Sequence, residues 1–344
     1  MSRLRRTVPA LSATILGLAG LLGPGCSTGM RAADADETAA AAGTPAPRPP
    51  VTAWSGDPRT LPLLDGRTGE PLDWDALLAR VGAVDAVIIG ELHDDAAGHA
   101  FQAALTGDAI AARGGGVAAL EMLERDEQSV VDDWLDGIID ADRMAALTES
   151  EDWAGPGSWA AWYQPILDAA RDAGGSVVAA NAPRRYVRLA RSAGYGRLAE
   201  LPAPRRGFLA LPSDAVDDSG YFDRFVGVMT GHMTQEDAGP DEAALARLRD
   251  TFRAQRTWDA TMGDSVARAL GRGAPLALLM VGQFHSDFDG ATVLELQARV
   301  PWARVLVISM QKRSGRVLDE ADRGRADIIV HTLGEASGEV ADAG

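Results

Sequence analysis

Two histidines in this sequence stand at the same spacing from a glycine that ends an apolar run. One run leads into Gly-Glu-Leu-His at residues 90–93, and a second leads into Gly-Gln-Phe-His at residues 282–285. Imidazole and carboxylate groups ligate metal ions, and a glutamate beside a histidine can act as a general base. Glu91, His93 and His285 are therefore the first candidates for binding or catalysis.

Two more polar residues follow short apolar runs that predict buried strands. Glu121 follows residues 117–120, and Asn181 follows residues 176–180. In an open parallel sheet, ligands bind outside the carboxyl ends of the strands, so residues far apart in sequence converge there. We call the predicted cluster the rim, and its members are Glu91, His93, Glu121, Asn181 and His285.

Other residues are placed to support the rim. Asp94 and His99 follow the first histidine closely, and His99 is predicted to be either a surface residue or a partner of the rim. Gln255 and Asp259 interrupt the apolar stripe of a long predicted helix, from which they can reach the rim. A purely structural role, such as bridging buried backbone groups, is the alternative for both.

The rim requires strands and helices that alternate along the chain. The sequence predicts an α/β fold with a mainly parallel sheet flanked by helices and with helical insertions near the C-terminal ends of the strands. Predicted strands cover residues 87–89, 117–120, 176–180, 276–281, 305–308 and 327–330. Predicted helices cover residues 72–81, 96–113, 124–146, 165–173 and 241–270, and residues 184–240 are predicted to be irregular.

The N-terminus has the pattern of an export signal. Three arginines precede the apolar residues 11–22, and small residues lead to Cys26, the only cysteine, as in a bacterial lipoprotein signal. A lipobox usually has leucine three places before the cysteine, where this chain has Gly23, so an ordinary secretory signal and an uncleaved anchor stay open. Export to the cell envelope with lipid attachment at Cys26 is the expectation.

Composition divides the rest of the chain. After the signal segment 1–26, residues 27–50 are rich in Ala and Pro and predict a disordered tether, residues 51–335 predict one domain, and residues 336–344 a flexible tail. The net charge of −16 argues against a nucleic-acid partner. A single cysteine excludes an intramolecular disulfide.

An aromatic tract and two further histidines have mainly structural interpretations. The tract 151–164 contains three tryptophans and Tyr163, and it is typical of core or lid packing, with a pocket for a flat apolar ligand as the minority interpretation. His232 and His331 are predicted to be structural or exposed.

Five motifs occur in order along the chain. They are VIIGELHD at 87–94 with His99 and Gln102, ALEM at 119–122, ANAPR at 180–184, QRTWDATM at 255–262 and VGQFH at 281–285. Together they resemble the ChaN family of haem-binding lipoproteins implicated in iron uptake. That family belongs to a wider group that includes Tiki metalloproteases and erythromycin esterases.

The resemblance implies haem, or a related tetrapyrrole, as the ligand. A tyrosine or histidine would supply the iron ligand, and Tyr163 is the tyrosine candidate. The haem propionates would seek Arg184 and Arg185 after the Asn181 strand. The membrane would be a partner through the lipid anchor, and a homodimer that shares haem is left open.

The Tiki relatives imply a different chemistry for the same residues. Their paired Gly-x-x-His motifs and glutamate map onto His93, Glu121 and His285, which would hold a divalent metal ion. The second hypothesis is therefore a peptidase or esterase that uses the rim with a metal ion, or with Glu and His activating water directly. The resemblance favours a binding protein over an enzyme.

Overall fold

The computed structural model describes residues 49–231 and 241–335. It contains one eight-stranded sheet with helices on both faces. The strands are β1 (Leu63–Asp65), β2 (Pro71–Leu72), β3 (Ala86–Glu91), β4 (Val117–Glu124), β5 (Ser176–Asn181), β6 (Ala277–Gly282), β7 (Val305–Gln311) and β8 (Ile328–His331). The helices are α1 (Trp74–Gly82), α2 (Ala96–Arg113), α3 (Gln128–Leu135), α4 (Ala141–Leu147), α5 (Gln164–Asp172), α6 (Arg184–Ala199), α7 (Ala203–Arg206), α8 (Ser219–Thr230), α9 (Glu242–Gly271) and α10 (Ala291–Arg299).

The strand order is β2-β1-β8-β7-β3-β6-β4-β5. The six strands from β8 to β5 are parallel, and β1 pairs antiparallel with both β8 and β2. β3 lies between β7 and β6, and every residue of β3 and β6 is buried. Burial on both faces explains why these strands are continuous apolar runs. The predicted α/β class with a mainly parallel sheet is confirmed.

Alternate residues of β3 face two different cores. Val87 and Ile89 pack in a core with α1, α2, α3 and α5, whereas Ala86 and Ile88 pack in a second core with α9 and α10. This alternation is the two-residue period of a strand. Because both faces are filled by side chains, the polar residues at the end of β3 project from a rigid base.

Two sequence predictions of secondary structure were wrong. Residues 184–231, expected to be irregular, contain α6, α7 and α8, of which α6 and α8 contact α9. The helix predicted over residues 124–146 is two helices, α3 and α4, because Gly137 between them adopts a left-handed conformation with φ of 71°. The predicted helix over residues 96–113 is confirmed.

The predictions for the signal, the tether, Cys26, His232 and the C-terminal tail concern residues outside those that the structure describes. Within residues 49–231 and 241–335, no helix is both long enough and apolar enough to cross a bilayer.

Candidate functional site

The carboxylate of Glu91, the last residue of β3, is surrounded by side-chain donors. Oε1 accepts from His93 Nδ1 at 2.8 Å and from the phenol of Tyr163 at 2.9 Å, and Oε2 accepts from Gln102 Nε2 at 2.7 Å. These contacts join β3, α2 and the turn before α5. A buried carboxylate with several donors is a rigid acceptor whose partners hold fixed orientations.

Those donors keep Glu91 ionised although it is fully buried. Burial by itself would raise its pKa, but the nearby imidazoles of His99 and His93 and the hydrogen bonds from His93 and Gln102 lower it to about 2. The same carboxylate raises the pKa of His93 against the effect of burial, whereas burial, together with the charge of Glu91, raises the pKa of Tyr163 well above 10. Tyr163 is therefore a neutral phenol that donates its proton to Glu91.

Within the described part of the chain, one ring nitrogen of His93 is hydrogen-bonded and the other is not. Its Nδ1 is engaged by Glu91, and Nε2 has no hydrogen-bond partner among the described residues. The side chain is 16% exposed, and the edge of Trp153 contacts the ring with centroids 4.8 Å apart. A side chain at Gly282 would come within 3.0 Å of Nε2, so the missing Cβ keeps this space open.

His99 is buried and contacts the main chain of His93, so it is a partner of the rim and not a surface residue. Nδ1 lies 3.0 Å from Gln102 Oε1, and Nε2 lies 3.2 Å from the main-chain oxygen of His93. The ring stacks on Trp162 at 5.0 Å with an interplanar angle of 17°. His99 thus holds both the amide that binds Glu91 and the backbone that carries His93.

Tyr163 reaches Glu91 from a π-helical turn, Trp159–Tyr163, that precedes α5. Such turns insert a residue into the helical repeat and are frequent at functional sites. Its aromatic neighbours in the turn, Trp159 and Trp162, are buried, as is Tyr163 itself. The tract therefore has the core-packing role predicted for it, and Trp153 at its start adds a half-buried cover on His93.

His285 follows β6 and repeats the arrangement of His93. Its Nδ1 lies 2.7 Å from Oδ1 of Asp259 on α9, and its Nε2 lies 3.7 Å from Oε1 of Glu121. Burial lowers the pKa of His285, but the charges of Asp259 and Glu121 outweigh it and raise that pKa. Each rim histidine is thus oriented through Nδ1 by a buried carboxylate, as in many metal-ligating histidines.

Glu121 stands where the β4–β5 pairing becomes irregular. The register shifts between Leu120 and Glu124, and Glu121 Oε2 accepts the main-chain N–H of Gly282 at 2.6 Å. The side chain of Glu121 is 11% exposed. Its second oxygen faces His285, so the structure brings Glu121 together with both rim histidines.

Gln255 and Asp259 both reach the rim from α9. Asp259 Oδ1 accepts from Thr292 at 2.8 Å in addition to His285, and Gln255 Nε2 lies 3.2 Å from Nδ1 of His285. Gln255 also donates to the hydroxyl of Tyr221 at 2.9 Å. Tyr221 was missed because α8 was not predicted, although the four-residue spacing from Tyr221 to Phe225 is a helical signal.

The remaining predicted residues lie at the edge of the site. Asn181 donates to the main-chain oxygen of Glu121 at 3.0 Å, so it holds the backbone that carries this rim residue. Asp94 forms a salt bridge with Lys312 at 2.8 Å on the surface. Arg184 lies 3.7 Å from Glu124 and Arg185 lies 2.6 Å from Asp126, so both already have carboxylate partners.

Metal binding was predicted for His93, Glu121 and His285. Within the described ranges, 49–231 and 241–335, no group of three or more His, Cys, Asp or Glu side chains has the geometry to hold a metal ion.

Residues 77–296 match the model of the family described as haem-binding uptake, Tiki superfamily, ChaN. The fold is similar to the structure of ChaN of Campylobacter jejuni with cofacial haem, with 16% identity and a TM-score of 0.59 over 79% of this chain and 96% of that one. At that identity the similarity concerns the fold alone.

Two more distant structures also match this chain at low similarity. A mutant of the erythromycin esterase EreC in its open conformation has 11% identity and a TM-score of 0.38, covering 78% of this chain and 83% of that one. The type III effector HopBA1 has 14% identity and a TM-score of 0.39, covering 80% and 97%. Neither similarity is high enough to inform function. No curated protein sequence matches this chain significantly.

Proposed function

Because this chain belongs to the haem-binding uptake family of the Tiki superfamily that includes ChaN, we propose that it is an exported, lipid-anchored protein that binds haem or a related iron tetrapyrrole for haem or iron uptake. Export and the anchor follow from the N-terminal pattern that ends at Cys26. The haem is cargo, and the chain's contribution is to bind and orient it.

The observation that carries the proposal is the state of His93. Its Nδ1 is held by Glu91, its Nε2 is unpaired among the described residues, and Gly282 leaves the space in front of Nε2 open. An imidazole whose other nitrogen donates to a carboxylate is a good ligand for haem iron when it gives up the proton on Nε2. Of the described side chains, His93 fits an iron ligand best.

Tyr163 fits a supporting role better than the ligand role suggested by the resemblance. Its side chain is fully buried, and its phenol proton is committed to Glu91. To bind an iron atom, the phenol oxygen would have to lose that proton, which the raised pKa opposes. It would also have to become accessible to the ligand. We therefore assign Tyr163 to holding Glu91, and through it the ring of His93.

A haemin titration of the full-length protein tests the proposal. We expect saturable binding at a fixed ratio with a shifted Soret band, weakened at least tenfold by His93→Ala. His331→Ala is the matched control, because among the described residues its ring bonds only to Gly315 O, and it lies two strands from β3. Non-saturating binding by the unaltered protein would reject the haem function.

Three further variants identify the iron ligand if His93→Ala has no effect. A loss of the Soret shift in Tyr163→Phe would restore the tyrosine assignment. Losses in His285→Ala or His232→Ala would place the iron at those residues, and each would contradict the role of His93. For the anchor, Cys26→Ala should move the protein from the membrane fraction to the soluble envelope fraction.

A hydrolase is the second candidate, and one observation favours it. His285 lies between the carboxylates of Asp259 and Glu121, an arrangement that can accept and release a proton beside a bound water. The nearby Nε2 of His93 would add a second metal-ligating nitrogen if a divalent ion were present. Glu121→Gln should then abolish turnover of peptide or ester substrates, with chelator sensitivity separating the metal-dependent route from direct water activation.

A further inference from the structure

Many cationic side chains in the described part of the chain are paired with carboxylates. Carboxylates lie within 4 Å of each of the following side chains: Arg184, Arg185, Arg256, Lys312, Arg313 and Arg325. This is expected for a chain whose net charge is −16. An anionic ligand that approached these residues would have to compete with an existing ion pair.

Arg224 differs from these six side chains. It lies on α8, is half-buried, and has no carboxylate partner among the described residues. Its one hydrogen bond to a described residue is from Nη2 to the main-chain oxygen of Asp287, at a long 3.3 Å. The other N–H groups of the guanidinium therefore remain available to a ligand.

Two aromatic rings hold this guanidinium in place. Its central carbon lies 5.4 Å from the ring centre of Tyr221 and 6.0 Å from that of Phe288. Stacking on aromatic faces orients an arginine without using its N–H donors. The side chain is thus pre-organised, so little additional entropy is lost when a ligand binds to it.

The contacts of Arg224 also place it beside the functional site. Asp287 is two residues beyond His285, and the hydroxyl of Tyr221 accepts a hydrogen bond from Gln255, which lies against His285. A ligand bound at the rim can therefore extend towards Arg224. Arg184 and Arg185 also lie next to the rim, after Asn181, but their guanidinium groups already bind Glu124 and Asp126.

We propose that Arg224 is the residue that binds a carboxylate of the rim ligand, and that this carboxylate is a haem propionate. The inference rests on the haem-binding function proposed above. Arginine suits this role because its planar fork donates two parallel hydrogen bonds to a carboxylate. It replaces Arg184 and Arg185, the propionate partners expected from the sequence.

Metal-free protoporphyrin IX tests the carboxylate contact separately from iron ligation. The full-length protein is titrated with this porphyrin and with its dimethyl ester, and binding is followed by fluorescence. We expect Arg224→Met to weaken binding of the diacid about tenfold or more, as for the loss of a charge-assisted hydrogen bond, and to leave the ester unchanged. Arg224→Lys should lose less, because it keeps the charge but not the fork.

Arg249→Met is the matched control. Arg249 is an exposed arginine that also stacks on an aromatic ring, that of Phe222 at 5.5 Å, and it likewise has no carboxylate partner in the described part of the chain. Its removal takes away the same charge, so unchanged binding there shows that net charge is not the cause. Normal binding of the ester by Arg224→Met shows that the variant is folded.

Each other outcome overturns the inference in a recognisable way. Equal diacid binding by Arg224→Met and the unaltered protein, or a loss confined to Arg184→Met and Arg185→Met, rejects Arg224 and leaves the haem function intact. Equal weakening of diacid and ester means that Arg224 acts by packing. If the unaltered protein binds neither haemin nor the porphyrin, the proposed function and this inference both fail.

Discussion

The phenol of Tyr163 donates a hydrogen bond to the carboxylate of Glu91 at 2.9 Å, across 72 positions of sequence. Both groups are fully buried, and this contact joins the π-helical turn before α5 to the end of the central strand. Because the acceptor is charged and shielded from water, the bond contributes more than a surface hydrogen bond would.

Replacement of Tyr163 by phenylalanine should therefore destabilise the protein. We expect a loss of about 1.5 to 3 kcal/mol in the free energy of unfolding, measured by urea denaturation. Tyr195→Phe is the control, because its hydroxyl donates to a neutral main-chain oxygen of Arg253 at 3.3 Å and should cost about 1 kcal/mol or less. Equal losses in both variants would mean that the charge on Glu91 adds nothing.

Gly282→Ala should displace the ring of His93. Gly282 has φ of −55°, which alanine adopts readily, so its cost arises from the contact of the new Cβ with His93 Nε2 and Cε1 at 3.0 Å. We expect about 1 to 3 kcal/mol of destabilisation and a changed nitrogen resonance of His93 in the NMR spectrum. Gly82→Ala, whose Cβ would meet nothing within 4 Å, should cost less than 1 kcal/mol; an unchanged His93 resonance in Gly282→Ala would contradict the prediction.

The stability of the protein should fall as the pH rises from about 4 to 6 because of Asp287. Burial raises the pKa of this carboxyl from 3.8 to about 6, even though Arg325 Nη1 lies 2.6 Å away. The folded state therefore binds the proton more tightly than the unfolded state, and this contribution is complete below pH 3.8 and lost through pH 6. Its slope is on the order of 1 kcal/mol per pH unit.

Urea denaturation at several pH values checks this slope. Asp287→Asn cannot titrate, so its unfolding free energy should fall less steeply between pH 4 and 6 than that of the unaltered protein. Glu91 acts in a separate window, since its lowered pKa of about 2 makes stability decline only as the pH falls below 4.5. Parallel curves for the variant and the unaltered protein between pH 4 and 6 would exclude Asp287 as the source.

Loss of Arg256 should be costly because it leaves a buried carboxylate with fewer partners. Its guanidinium is 2% exposed, and Nη2 lies 2.7 Å from Glu295, whose side chain is fully buried. We expect Arg256→Met to lower the free energy of unfolding by about 3 kcal/mol in chemical denaturation. Arg197→Met breaks an exposed pair with Glu200 and should cost under about 1 kcal/mol. Similar losses would show that burial of the Glu295 pair is unimportant.

The strand ends were predictable from the sequence because buried parallel strands are unbroken apolar runs. The strands at Val87 to Ile89 and before Gly282 could be predicted without knowing which strands pair with them. The parallel arrangement then brings His93, Glu121 and His285 to one edge of the sheet. Asp259 was found because a charged residue on an apolar helical stripe needs a buried partner. That partner is His285.

The insertion between β5 and α9 was not predictable in the same way. α6 contains many arginines and an interior glycine, Gly194, at φ of 78°, and its stability comes from packing of Tyr186, Val187 and Ala190 against α9. Such long-range packing leaves a weak local pattern. The roles of Tyr221 and Arg224 were missed for this reason.

The position of β3 also sets the order in which the molecule can be completed during synthesis. β3 ends at Glu91, and its two partners in the described sheet, β6 and β7, begin at Ala277 and Val305. At about 5 to 20 residues per second, the ribosome makes β7 roughly 10 seconds or more after it has made β3. A nascent chain therefore carries His93 before His285 and Asp259, and the site cannot be assembled until β7 has been made.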